Sequence, residues 1–104
     1  MDVLNRDQID AFWRDGYLLL EDAVPPEKLA ALSCEFDNWV DQSRSHSRAF
    51  GTTLDGRPRF DVEPGHTAEA PALRRIASPT ELSDNYLDVM RSSIAVDAVA
   101  QLIG

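Results

Sequence analysis

The sequence predicts an α+β chain, mainly amphipathic helices with a few short strands. Three observations carry that prediction. Apolar residues recur at helical spacing in four places, three of them behind recognisable start signals. A four-residue apolar run, Tyr17-Leu18-Leu19-Leu20, follows a glycine stop. Between Ser43 and Pro71 the helical period disappears. A length of 104 residues has room for one domain, and 43% hydrophobic with 27% charged residues excludes disorder throughout.

The first helix is expected from about Arg6 to Asp15. Asn5 and Gln8 stand at the two positions of a capping box, and Leu4 and Ile9 at those of a hydrophobic staple. Ile9, Phe12 and Trp13 form its apolar stripe, and Gly16 supplies a left-handed stop. Tyr17–Leu20 is too short for a helix and apolar on both faces, which suits a strand covered on both sides. Such a strand needs pairing partners, and the rest of the chain offers few.

Pro25-Pro26 restarts the helix, because proline presets the dihedral of a first turn whose N–H has no partner anyway. Leu29, Leu32, Phe36, Trp39 and Val40 then mark a helix from Pro26 to about Gln42, with Cys34 expected as a small core residue. Residues 43–71 are expected as a long loop or lid. Within them Asp55-Gly56 signals a turn and Arg59–Glu63 alternates like a short strand. Leu73–Ile76 fits a strand or a helical turn. Ser78-Pro79-Thr80-Glu81 reads as another capping box, with Ser83-Asp84 as a second start. Leu82, Tyr86, Val89 and Met90 supply that helix's stripe. Ile94, Val96, Val99, Leu102 and Ile103 supply the last one.

Ten basic against eighteen acidic residues leave a net charge of −8. A nucleic-acid partner is not expected, because phosphate affinity needs a basic face that releases counterions. Docking on anionic lipid is disfavoured for the same reason. No apolar run approaches the ~20 residues that span a bilayer, and the polar, acidic start is unlike a signal peptide. With one cysteine and no internal disulfide, the chain is expected in the cytoplasm.

The chemistry-bearing residues are few. An iron site of the facial-triad type needs His-x-Asp/Glu and a distant His. His46 is followed two residues later by Arg48 and His66 by Ala68, so both are expected as ordinary surface residues. Cys34 has acidic neighbours that disfavour a thiolate. The five glycines, at 16, 51, 56, 65 and 104, are too scattered for a phosphate loop. Arg57, Arg59, Arg74 and Arg75 are the only local basic excess. They suit either an anionic substrate group or solvated loop charges.

The order of segments resembles a family. Residues 8–22, QIDAFWRDGYLLLED, followed by Pro26-Glu27-Lys28-Leu29-Ala30-Ala31-Leu32, look like the opening of the phytanoyl-CoA dioxygenase family. Phe60–Pro64, Pro71–Ile76 and Val99–Gly104 fall where that family has similar segments, so the resemblance covers nearly the whole chain. It implies an iron(II)- and 2-oxoglutarate-dependent oxygenase on a double-stranded β-helix that hydroxylates a small molecule. The family's His-x-Asp pair, later His and 2-oxoglutarate-binding Arg all lie beyond the point matching Gly104. No catalytic, metal or cofactor residue therefore carries over.

On this resemblance residues 1–104 form a single incomplete domain, the N-terminal segment of an oxygenase whose barrel core is absent. It is inactive alone and holds no cofactor itself. Tyr17–Leu20 and the 59–76 segments are implied to be outer strands, with the 43–71 loop bordering the substrate entrance. The alternative is a stand-alone helical interaction module presenting Trp13 or Trp39. A further expectation is self-association by pairing of Tyr17–Leu20 across a two-fold axis.

Overall fold

A computed structural model describes residues 2–104. In chain order they form α1 (Arg6–Asp15), α2 (Pro26–Ser43), β1 (Phe50–Thr52), β2 (Pro58–Val62), β3 (Leu73–Ile76), a 3-10 turn at Pro79–Glu81, α3 (Asp84–Ser92) and α4 (Ile94–Ile103). The chain is therefore α+β. Among the described residues no helix is long and apolar enough to cross a membrane.

The start of α1 is set by local chemistry. The Asn5 side chain accepts the Gln8 N–H at 2.8 Å, and the Gln8 side chain accepts the Asn5 N–H at 2.9 Å. Gly16, at φ 84°, closes the helix by donating to the Phe12 carbonyl at 2.8 Å. Leu4, the residue before the cap, is buried. Its backbone is clamped by one side chain: Gln101 Oε1 accepts the N–H groups of Val3 and Leu4, and Gln101 Nε2 donates to the Leu4 carbonyl, all at 2.9 Å. A primary amide offers a donor and an acceptor side by side, so it can satisfy the free backbone groups ahead of α1 and tie them to α4.

The sheet is antiparallel in the order β1-β2-β3. Phe50 pairs with Phe60, Phe60 with Ile76 and Asp61 with Arg75, and a bulge beyond Asp61 lets Val62 pair with Leu73. Gly51 is required at its place, because it holds φ 72° and an added Cβ would lie 3.0 Å from the Arg59 Cβ. Trp39 of α2 joins the sheet to α3, with ring centroids 6.3 Å from Phe60 and 5.3 Å from Tyr86. Phe60 stacks on Phe50 at 4.6 Å, and Phe50 on His46 at 3.7 Å.

Several expectations give way. Tyr17–Leu20 forms no strand; it is irregular chain between α1 and α2. The 43–71 segment, expected as a loop or lid, carries β1, β2 and their turn. The capping box at Ser78 does not form: Ser78 sits at φ 50° without a side-chain cap, and Pro79 opens only one 3-10 turn. The Glu81 carboxylate is drawn instead to the Leu54 N–H and to Arg59. Helix α3 begins at the second start, where the Ser83 hydroxyl accepts the Tyr86 N–H at 3.1 Å. Cys34 is exposed rather than in the core.

The interior is small. The buried apolar residues are Leu4, Trp39, Phe60 and Ala98, and α1 buries none of its own. The radius of gyration is 17.1 Å, against about 13 Å for a compact domain of this length. The accessible surface is 7233 Å², against roughly 5,800 Å² for a folded monomer of this size. Apolar surface is thus left uncovered.

Trp39→Ala is expected to cost about 3 kcal/mol or more. Trp13→Ala, at a ring 65% exposed, is expected to stay within about 0.5 kcal/mol of the parent. Urea unfolding followed by circular dichroism separates the two. Equal effects would contradict the placement of the core at Trp39.

Candidate functional site

The structure divides the four arginines into two pairs with different work. Arg59 points into the protein and is 5% exposed. Its guanidinium donates to the carbonyls of Ala77 at 3.0 Å, Ser78 at 2.8 Å and Thr52 at 3.3 Å, and to the Glu81 carboxylate at 2.6 Å. Every donor direction it uses serves the fold, so Arg59 is not a substrate-side residue. Arg57 braces the adjacent turn: Nε binds both Asp55 oxygens, at 3.0 and 2.9 Å, and Nη2 reaches the Ser78 hydroxyl at 3.2 Å. The Thr53 hydroxyl and then Arg57 hold the Asp55 carboxyl below its ordinary value.

Arg74 and Arg75 behave otherwise. The bulge between β2 and β3 brings both beside one acid, with Arg74 Nε 3.4 Å and Arg75 Nη2 3.5 Å from the same oxygen of Asp61. Both contacts are long and the side chains are largely exposed. Two guanidinium groups share one carboxylate, which leaves a positive excess at this edge. A groove of about 290 Å³ runs alongside, lined by Phe36, Trp39, Leu73, Ile76, Pro79 and Tyr86 together with these two residues.

The groove's polar neighbours are occupied by packing duties. Tyr86 donates its hydroxyl to the Leu32 carbonyl at 3.4 Å. Burial, and then the Glu35 charge, push that phenol above its ordinary value. Glu35 accepts from the Ser83 hydroxyl and from Asn85 at 3.4 Å, which ties α2 to the start of α3. The Ser83 hydroxyl is used at both ends by the fold: its oxygen caps α3 while its proton goes to the Glu35 carboxylate. The groove has the size and the mostly apolar lining that can hold a small ligand.

The histidines were expected at the surface, and only His46 is exposed. His66 is half-buried with both ring nitrogens engaged. Nothing in its sequence neighbourhood signals this. Among the described residues no three His, Cys, Asp or Glu side chains gather where a metal ion could sit. With His66 committed to backbone groups and His46 stacked on Phe50, these residues do not fit an iron(II) site.

A second groove, of about 350 Å³, lies between α1 and α4 and is entirely apolar, lined by Phe12, Leu18, Leu20, Ala23, Ala95, Ala98, Val99 and Leu102. Leu18 and Leu20 face it, whereas Tyr17 and Leu19 point away and are 70% and 79% exposed. No backbone hydrogen bond joins Tyr17–Leu19 to any other described residue. The alternation is that of a strand with one face packed and no neighbour on either edge.

No family model matches the chain, and neither does any curated protein or solved structure.

Arg59→Ala is expected to cost about 1–3 kcal/mol, because it strands the carbonyls and the carboxylate that the guanidinium serves. Arg75→Ala should change stability by less than about 0.5 kcal/mol. Thermal unfolding of the two variants separates these roles. A pH series adds a signed test. The Leu54 N–H, and then Arg59, hold Glu81 below its ordinary value of 4.5. The folded state therefore favours the carboxylate. That contribution is present above pH 4.5 and is lost as pH falls through the lowered value. Glu81→Gln is expected to flatten the acid side of the stability curve, and an unchanged acid limb would contradict the assignment.

Proposed function

We propose that this chain is the N-terminal portion of an iron(II)- and 2-oxoglutarate-dependent dioxygenase related to the phytanoyl-CoA dioxygenase family, acting on a small molecule. The observation that carries the reading is Tyr17–Leu20. Its inward side chains are packed, its outward ones are bare, and the backbone of Tyr17–Leu19 has no partner among the described residues. A sheet belonging to the remainder of an oxygenase fold would cover that face and satisfy that backbone. The sequence motifs around Gly16-Tyr17 and Pro26, in the order the family has them, point the same way.

Residues 2–104 do not hold the iron on this reading, so no catalytic step is assigned to them. Their part is to build one wall and a groove. Of the four arginines, Arg74 and Arg75 are the two left for an anionic group on the substrate side. The reading as an interaction module keeps one support, the exposed ring of Trp13; Trp39 is buried and cannot be presented to a partner. Self-association through Tyr17–Leu20 draws on the same bare segment, and a monomer on gel filtration would remove it.

The test is turnover. With iron(II), oxygen and 2-oxoglutarate, residues 1–104 are expected to release no succinate. The product of the same reading frame extended beyond Gly104 is expected to convert 2-oxoglutarate and oxygen to succinate and carbon dioxide, with one oxygen atom passing to the substrate. Iron-dependent succinate release by residues 1–104, or an extended product without turnover, would contradict the proposal.

A further inference from the structure

We propose that His66 is an acid-released latch on the entry to β3. The ring sits between two pieces of backbone. On one side Nδ1 accepts the N–H of Ala72, the residue before β3, at 2.8 Å. On the other, Nε2 lies 2.8 Å from the Ser43 carbonyl at the end of α2 and 3.0 Å from the His46 carbonyl just beyond it. Carbonyl oxygens only accept, so Nε2 carries the proton, and an N–H only donates, so Nδ1 carries none. The neutral Nε2–H ring is the one form that satisfies all three groups.

Protonation puts a second N–H on the ring, facing the N–H of Ala72. Turning the ring over gives no relief, because both nitrogens of the cation are donors. The tie to Ala72 is then lost, while the bonds to the end of α2 survive. Acid is therefore the signal that breaks this tie. Leu73, Arg74 and Arg75 follow directly and form one wall of the aromatic groove, so acid loosens that wall.

The charged and titratable groups on the elements packed around His66 are few. The end of α2 and the turn after it carry Asp41, Arg44, His46 and Arg48, the loop itself carries Glu63 and Glu69, β2 before it carries Arg59 and Asp61, and β3 carries Arg74 and Arg75. Arg44 is committed to Asp41 at 3.2 Å and to the Ala68 carbonyl at 2.6 Å, a second tie on the same loop that acid does not break. The His46 ring lies flat on Phe50. Glu63 and Glu69 are exposed. The latch is therefore local to the end of the loop at Ala72 and does not require the whole loop to leave.

The experiment is nuclear magnetic resonance on residues 1–104, with imidazole nitrogen shifts and amide exchange read together. With only two histidines, the assignment is direct. At about pH 7.5 the His66 shifts should report the Nε2–H tautomer. The Ala72 amide should be protected there and lose about tenfold in protection at about pH 5, after correction for the intrinsic exchange rate. His66→Asn keeps an acceptor near the Nδ1 position and removes the titration, so any protection it retains should not vary with pH. Three results would each overturn the latch: a proton on Nδ1 at pH 7.5, an Ala72 amide unprotected at both pH values, or protection unchanged while His66 titrates.

Discussion

Trp39 is the contact on which the rest of the structure depends. Its indole lies between Phe60 of the sheet and Tyr86 of α3, so three elements from distant parts of the sequence meet at one side chain. From Phe60 the stacking continues through Phe50 to His46. Around this aromatic column the polar groups are satisfied in detail. Arg59 closes the far side of the sheet against the 3-10 turn, Glu35 fixes the start of α3 to α2, and His66 fastens the entry of β3 to the end of α2. A chain with so little apolar interior relies on such bonds more than a larger domain would.

The other half of the chain is organised differently. Helix α1 and the segment after it hold to α4 through the Gln101 clamp and through Leu18 and Leu20 in the apolar groove. Trp13, Tyr17 and Leu19 remain in solvent, as do Val99 and Ile103 on α4. The excess of accessible surface over that of a folded monomer of this size has the order of one ordinary protein interface. An oxygenase sheet, supplied by a longer chain, is the cover that the proposed function assigns to it.

Elements written in local chemistry were legible in the sequence. The capping box of Asn5 and Gln8, the stop at Gly16 and the restart at Pro26 define α1 and the beginning of α2 as read. The strand at Arg59 was visible through alternation, whereas Leu73–Ile76 fitted a strand or a helical turn equally and forms a strand. What escaped depends on distant partners. Glu81 has the spacing of a capping residue, but Arg59 and the Leu54 N–H compete for its carboxylate and win, so the helix is capped five residues after Ser78, at Ser83. Cys34 lies in an amphipathic helix whose stripe is only partly covered, and it ends exposed. The arginine cluster looked like one group because its members are near in sequence. Strand direction and the bulge at Asp61 separate a buried brace from an exposed rim. The role of His66 had no signal at all, since its partners are backbone atoms.

The proposed function requires that the backbone of Tyr17–Leu20 has no partner within these residues. Hydrogen exchange of the Leu18, Leu19 and Leu20 amides in residues 1–104 tests it most directly. The account predicts exchange close to that of an unfolded peptide at these three positions, beside protected amides at Phe60 and Ile76 in the same sample. Protection of Leu18–Leu20 equal to that of the sheet would mean that the segment already has its partner, and it would contradict the account.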